Sequence, residues 1–276
     1  MRVDPAFLVR LLITPLTVAL ACFVQRRLGP AAGGRLVGLP LTTGPFLVVL
    51  SMRAGDHAAG VAAGGVVAGQ LSVVGFCAVY AGLAARLRPL WTTSSALAGS
   101  LGCGAVGLLA HREAVPSAVT FLVVLAAILV AVRAVPDTSP TTPARPPRPV
   151  DLPLRIVVTT ALVATLVESS AFIGAGLAGL LATAPVILTI MAPATHRADG
   201  PQHAAALARG ALVTLPASVV AAEIAAQTLG RSPTVVAAAL ALGGLALVEV
   251  RRNLGAKAQD GRAVRQRDLE LADVGR

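Results

Sequence analysis

The sequence has little charge and few aromatic residues. Of its 276 residues, 13% are Asp, Glu, Lys or Arg and 3% are Phe, Trp or Tyr, while 55% are hydrophobic and a further 27 are glycine. So small a polar fraction cannot clothe a water-soluble globule, which excludes the soluble enzyme classes and points to a membrane protein. Cysteine is also scarce. Cys22, Cys77 and Cys103 stand singly in apolar stretches, with no paired spacing for a zinc site, a redox pair or a disulfide framework. Tyr80 and Trp91 are alone of their types, which argues against an aromatic-lined sugar or quaternary-ammonium site. No aromatics are interleaved with the basic residues, so the net charge of +10 does not call for nucleic acid as a partner.

What the chain does have is long apolar runs. Bounded by charges or proline, they fall at about 6–25, 36–52, 58–85, 90–110, 115–134, 154–173, 175–193, 204–229 and 232–250, which makes nine spans. Between Pro136 and Pro149 lie six prolines with Arg145 and Arg148, a composition that forms a semi-rigid extended linker rather than a helix. The expected organisation is an all-α polytopic membrane protein with a first four-span repeat over 1–110, a connecting span over 111–135, the linker over 136–150, a second four-span repeat over 151–252 and a basic tail over 253–276. A cleaved leader ending at Cys22 is not expected, because Arg10 interrupts the first apolar run and Asp4 precedes it.

Basic residues near span ends stay preferentially in the cytoplasm. With the N-terminus outside, 18 of the 23 lysines and arginines fall on the cytoplasmic side and five outside. The expected setting is a bacterial inner membrane, N-terminus outside and C-terminus cytoplasmic, with the lipid bilayer as first partner; the tail touches anionic lipid at most.

The two halves match in four successive places. Arg10 to Thr14 matches Arg155 to Thr159. Thr43-Gly44-Pro45 matches Thr183-Ala184-Pro185, each followed by aliphatic residues and a methionine, Met52 or Met191. His57-Ala58-Ala59 matches His203-Ala204-Ala205, with Gly64 and Gly210, and Ser72 and Ser218, at the same offset, and Pro89 matches Pro233. Matches in one order at offsets of 140 to 146 indicate duplication. The odd span between the repeats inverts the second, an arrangement that recurs in secondary transporters.

Proline within a span removes a backbone hydrogen bond, so Pro45 and Pro185 are expected to break or kink spans two and seven, with Thr42, Thr43 and Thr183 supplying hydroxyls to a midplane substrate site. Ionisable groups inside spans cost on the order of 2.5 to 3.5 kcal/mol at the centre and face a cavity or a partner. Glu168, Glu223 and Arg10 qualify, as a cluster that couples protons or as a structural ion pair; Gln70 and Gln227 are lesser candidates. Arg53, Asp56 and His57, like His196, Arg197, Asp199 and His203, fit helix entry better than catalysis, with Asp56 as an N-cap and Pro201 in a first turn. No metal, cofactor or catalytic residue is expected. Gly60 with Gly64, and Gly65 with Gly69, form small-residue faces for close internal packing, with a homodimer contact as a second use.

Leu36 to Leu50 and Leu177 to Ile190 resemble a pattern of uncharacterised bacterial multi-pass inner-membrane proteins with a leucine-proline-leucine-threonine-x-glycine-proline stretch, here Leu39 to Pro45. The resemblance implies a membrane fold and carries over no activity or site residue. The functional expectation is therefore architectural: a secondary transporter or permease for a small polar or anionic solute, proton-coupled through a glutamate, with a non-catalytic membrane scaffold as the alternative.

Overall fold

The computed structural model describes residues 23, 30–40, 43–113, 115–135, 172 and 174–229. Every regular element among them is an α-helix: α1 (Pro30–Val37), α2 (Thr43–Ala54), α3 (Asp56–Leu83), α4 (Pro89–Arg112), α5 (Ser117–Ala134), α6 (Ala175–Ala182), α7 (Val186–Asp199) and α8 (Pro201–Thr228). Runs of Ala, Val, Leu and Gly adopt helices here because only a helix satisfies its own amides and carbonyls where water is excluded. Proline and glycine set the boundaries. Pro89 and Pro201 occupy first turns, where a missing amide costs nothing. Gly55 and Gly200 turn the chain before α3 and α8 at φ of 85° and 97°, a left-handed region that strains any residue with a Cβ.

Among the described residues, five stretches are long and apolar enough to cross a membrane: α3, α4, α5, Ala175–Asp199 and α8. They divide by burial. α3 and α8 form the core, with Val66, Val67, Phe76, Leu207, Leu212 and Leu215 almost wholly enclosed. α4 and α5 lie outside, exposing Leu90, Trp91, Leu101, Leu122 and Val130 among other large apolar side chains. Such a surface would drive association in water and is at home against lipid.

The elements recur at one displacement. α6 repeats α1, and α8 repeats α3, each bound being 145 residues further on. Local bonding repeats too: Gly44 N–H donates to Pro40 O as Thr189 N–H does to Pro185 O, and Gly55 N–H donates to Ser51 O as Gly200 N–H does to His196 O. Directions follow from the contacts. Gly60 lies against Leu229 and Ala226, and Gln70 reaches Ser218, so α3 and α8 run antiparallel. Gly34 meets Leu207 and Gly38 meets Thr214, so α1 runs parallel to α8; Gly179 meets Ala62 and Thr183 meets Gly69, so α6 runs parallel to α3. Each short helix thus packs on the long helix of the other set.

This register corrects several sequence expectations. Pro185 does separate α6 from α7, but its partner in the first set is Pro40. Pro45 sits inside the first turn of α2, where a helix accepts proline, so the aligned Thr43-Gly44-Pro45 and Thr183-Ala184-Pro185 do not occupy equivalent places in their helices. The run 36–52 is not one helix, because α1 ends at Val37 and α2 begins at Thr43. Gly210 pairs with Gly65, not Gly64, and His57 with Gln202, not His203. The offset of 146 fails because equal helix bounds fix the displacement one residue shorter. His196, Arg197 and Asp199 belong to α7 rather than to a loop, and Gly55, not Asp56, is the residue before α3, Asp56 instead accepting a hydrogen bond from Ser51. The spans expected at 6–25, 154–173 and 232–250, the linker and the tail lie outside the described residues, apart from Phe23 and Phe172.

Candidate functional site

The two interruptions, Gly38 to Pro40 and Thr183 to Pro185, face the midpoints of the long helices. Gly69 is the fourteenth residue of the 28 in α3, and Thr214 is the fourteenth of the 28 in α8. A helix of that length is about 42 Å long, so each contact lies about 20 Å from either end.

Close approach there depends on glycine. A Cβ added to Gly34 would stand 1.9 Å from Leu207 O, and one on Gly179 would stand 1.9 Å from Ala62 O. From the other side, Gly65 would meet Gly176 O at 2.0 Å and Gly210 would meet Ala31 O at 2.2 Å. Backbone rests on backbone in both seams, the membrane use of small residues. Gly64 has nothing within 4 Å, so only the Gly65 and Gly69 pair of the two expected glycine faces lies in this contact.

At each interruption one threonine does equivalent work from opposite sides. Thr214 of α8 donates its hydroxyl to Arg35 O, 2.9 Å, at the end of α1. Thr183, at the end of α6, donates to Leu180 O, 2.6 Å. Arg35 and Leu180 are counterparts at the 145-residue displacement, so one terminal carbonyl is satisfied in both sets. Facing Thr214 is Gly38, where a Cβ would stand 2.1 Å from the Thr214 hydroxyl; facing Thr183 is Gly69, where it would stand 2.1 Å from the Thr183 hydroxyl. Threonine and glycine have exchanged places across the seam.

Each interruption brings the carbonyl end of one short helix to the amide end of the next. α7 has no side-chain cap, and the first amides of a helix lack intrahelical acceptors. The helix dipole favours an anionic group at the start of α7 and a donor group at the ends of α1 and α6. Between the two interruptions, Gln70 donates to Ser218 across the α3 and α8 crossing, 3.3 Å. Ser72, two residues on and facing Gly104 of α4, buries its hydroxyl without a hydrogen-bond partner.

The outer parts of the core differ from each other. Towards the end of α3, Tyr80 is fully buried against His196 of α7, hydroxyl to Nδ1 3.3 Å, with the rings edge to face. Their counterparts are Ala225 and Ser51, so this bond exists at one end only. Tyr80→Phe removes only the hydroxyl and is expected to lower stability by about 1 kcal/mol; an unchanged thermal midpoint of the purified protein would show that the bond contributes nothing. Near the end of α8, Glu223 Oε1 accepts hydrogen bonds from Ser117 Oγ, 3.0 Å, and Gln227 Nε2, 2.9 Å.

Of the residues expected to form the site, Thr183 and Pro185 lie at an interruption, Thr43 is buried in the first turn of α2, and Pro45 follows it. Thr42, Arg10 and Glu168 lie outside the described residues. Glu223 keeps neutral partners in Ser117 and Gln227. Sequence reading missed Gly38, Pro40, Thr214, Ser117 and the Tyr80 with His196 pair. The Gly-x-Pro string at 38–40 was the available signal for the first interruption. Among the described residues no three His, Cys, Asp or Glu side chains gather to hold a metal ion. Comparison of the chain with protein-family models, with curated proteins and with solved structures finds no match.

Proposed function

We propose that this chain is a secondary transporter or permease for a small polar or anionic solute, built from two inverted repeats and seated in a bacterial inner membrane with its N-terminus outside. The observation that carries the reading is the pair of helix interruptions, between α1 and α2 and between α6 and α7, that face the midpoints of α3 and α8. Discontinuous helices at corresponding positions of two antiparallel sets are the backbone arrangement by which transporters hold a solute at the bilayer midplane. The positive end of α7, the threonine hydroxyls and the Gln70 with Ser218 pair supply polar contacts for a solute of that class. The swapped packing of α1 on α8 and α6 on α3 supports two alternative states of similar energy, since rocking one seam open has an equivalent at the other. Glu223 is the described group suited to couple solute movement to protons, with Arg10 and Glu168 as the other ionisable members of the proposed coupling set. The proposed assembly contacts lipid, an unidentified solute and, as a homodimer, a second copy; the reading assigns it no catalytic activity.

Cysteine labelling tests this without knowledge of the solute. In a background lacking Cys22, Cys77 and Cys103, the exposed positions Ala54 and Gln202 are changed to cysteine and treated with a membrane-impermeant maleimide. Ala54→Cys is expected to react from outside and Gln202→Cys from inside only; reaction of both from one side would end the inverted-repeat reading. Leu39→Cys and Ala184→Cys, beside the interruptions, are expected to react from both sides of the membrane in turn. Protection of both positions from either side is the result expected of a non-catalytic membrane scaffold and would replace the transport reading.

A further inference from the structure

α4 is one-sided along its whole length. Thr92, Ala96, Ser100 and Gly107 are buried, and Gly99 and Gly107 rest on Gly75 and Ala68 of α3. On the other side Leu90, Trp91, Leu97, Leu101, Val106 and Leu109 are exposed at helical spacing. The helix has 24 residues, about 36 Å, against a hydrocarbon thickness of about 30 Å, so its ends reach the headgroup layers. Trp91 is the third residue of the helix and is 65% exposed. It therefore stands at headgroup level, where an indole is favoured.

The two ends of α4 carry different charge. Arg86 and Arg88, both exposed, precede Trp91 by five and three residues in the loop between α3 and α4. Hydrogen bonds fix that loop. Arg86 and Leu87 N–H donate to Leu83 O at 2.9 and 3.0 Å, and the buried Thr92 hydroxyl donates to Leu87 O and Arg88 O at 3.2 and 3.1 Å. The sequence from His57 to Arg112 contains no acidic residue, so neither arginine has a carboxylate within its own hairpin. α7 adds one charge of each sign: Arg197, which acts on Tyr80 one turn before the end of α3, and Asp199. Among the described residues the surplus at this end is therefore positive. At the far end of α4, Arg112 is followed at once by Glu113.

We infer that the loop between α3 and α4 and the exposed face of α4 together bind an anionic glycerophospholipid, its phosphate on Arg86 and Arg88 and an acyl chain along Leu90, Leu97 and Leu101. Guanidinium groups match phosphate oxygens in pairs. The apolar stripe that continues from them selects a phosphate carrying a chain over a free anion in water. A headgroup of net negative charge is preferred to a zwitterionic one, whose own cation would be brought beside the same arginines. The site stands apart from the transport reading, since it requires α4 to meet lipid and requires neither solute flux nor inverted repeats.

Trp91 is the sole tryptophan of the chain, so its fluorescence reports this one place. The full chain is reconstituted in vesicles of equal phosphatidylcholine and phosphatidylglycerol, with the chains of one lipid or the other brominated to quench. Brominated phosphatidylglycerol is expected to quench more strongly, with a relative affinity of about fivefold, the worth of one fully engaged cation at an anionic surface. Arg86→Gln and Arg88→Gln should each lower that preference and together bring it to about unity. Arg112→Gln, about 30 Å along the helix from Trp91, should leave it intact. Equal quenching by the two lipids, or a preference that survives the double variant, overturns the proposal. Quenching by neither lipid also overturns it, since protein such as a second copy would then cover Trp91. So does a preference abolished by inorganic phosphate at constant ionic strength, which would put a soluble anion in the site. A chain that keeps the preference but moves no solute would sink the transport reading alone.

Discussion

Replacing Gly34 or Gly179 with valine is expected to cost at least about 3 kcal/mol each, the upper end of what overpacking costs in an ordinary core. The reason is what the new Cβ would meet. At both positions it stands 1.9 Å from a carbonyl oxygen of the facing long helix, and a backbone atom cannot rotate away as a side chain does. The helices must separate by more than an ångström, and the neighbouring contacts at Gly38 and Thr214, or at Gly69 and Thr183, separate with them. The control lies on α3 itself. Gly64 has open space around its Cβ position, so Gly64→Ala is expected to be neutral or to gain up to about 1 kcal/mol of helix propensity. Thermal unfolding and monodispersity of the purified variants decide the matter. Equal behaviour of Gly34→Val and Gly64→Ala would mean that the seams are not held at backbone contact.

Thr183→Val and Thr214→Val should each lower solute flux by about tenfold, and together by more, while leaving the protein folded. Valine keeps the shape of threonine and deletes the hydroxyl, so the loss is one hydrogen bond to the terminal carbonyl at an interruption, about 1 to 2 kcal/mol, or roughly tenfold when that energy acts on the binding state. Because the sites lie in opposite seams, a solute held between them senses both. Thr92→Val is the comparison: Thr92 is equally buried, but its hydroxyl bonds to Leu87 O and Arg88 O at the start of α4, and its loss should leave flux unchanged. Flux in liposomes against a panel of small organic anions and zwitterions measures the effect. Equal flux in the double variant and the unaltered protein would remove the interruptions from the solute path.

The elements that sequence reading places well are those whose signal is local. α3, α4, α5 and α8 fall within a few residues of their apolar runs, because length and bounding prolines are properties of one segment. The interruption at Pro185 is legible for the same reason, since proline acts on its own helix. What failed is register. In a chain rich in alanine and glycine, Thr43-Gly44-Pro45 and Thr183-Ala184-Pro185 look alike, yet Pro40 carries the counterpart bond to Gly44. The functional pairings were out of reach because each partner lies in the other set: nothing local to Thr214 announces that Arg35 O lies 2.9 Å from its hydroxyl. Glycine spacing on α3 suggested close packing without saying which glycines would meet backbone.

The exchange of short helices between the two sets also governs how the chain can assemble during synthesis. Gly34 leaves the ribosome early, but its seat on Leu207 is made only after every helix from α2 to α7, and α3 receives α6 before α1 has found α8. Neither half is therefore a folding unit. α1 waits with its glycine face unfilled until α8 is inserted, so the slow, committing step of biogenesis is the arrival of α8, when the non-local contacts of α1 and α3 with it close together.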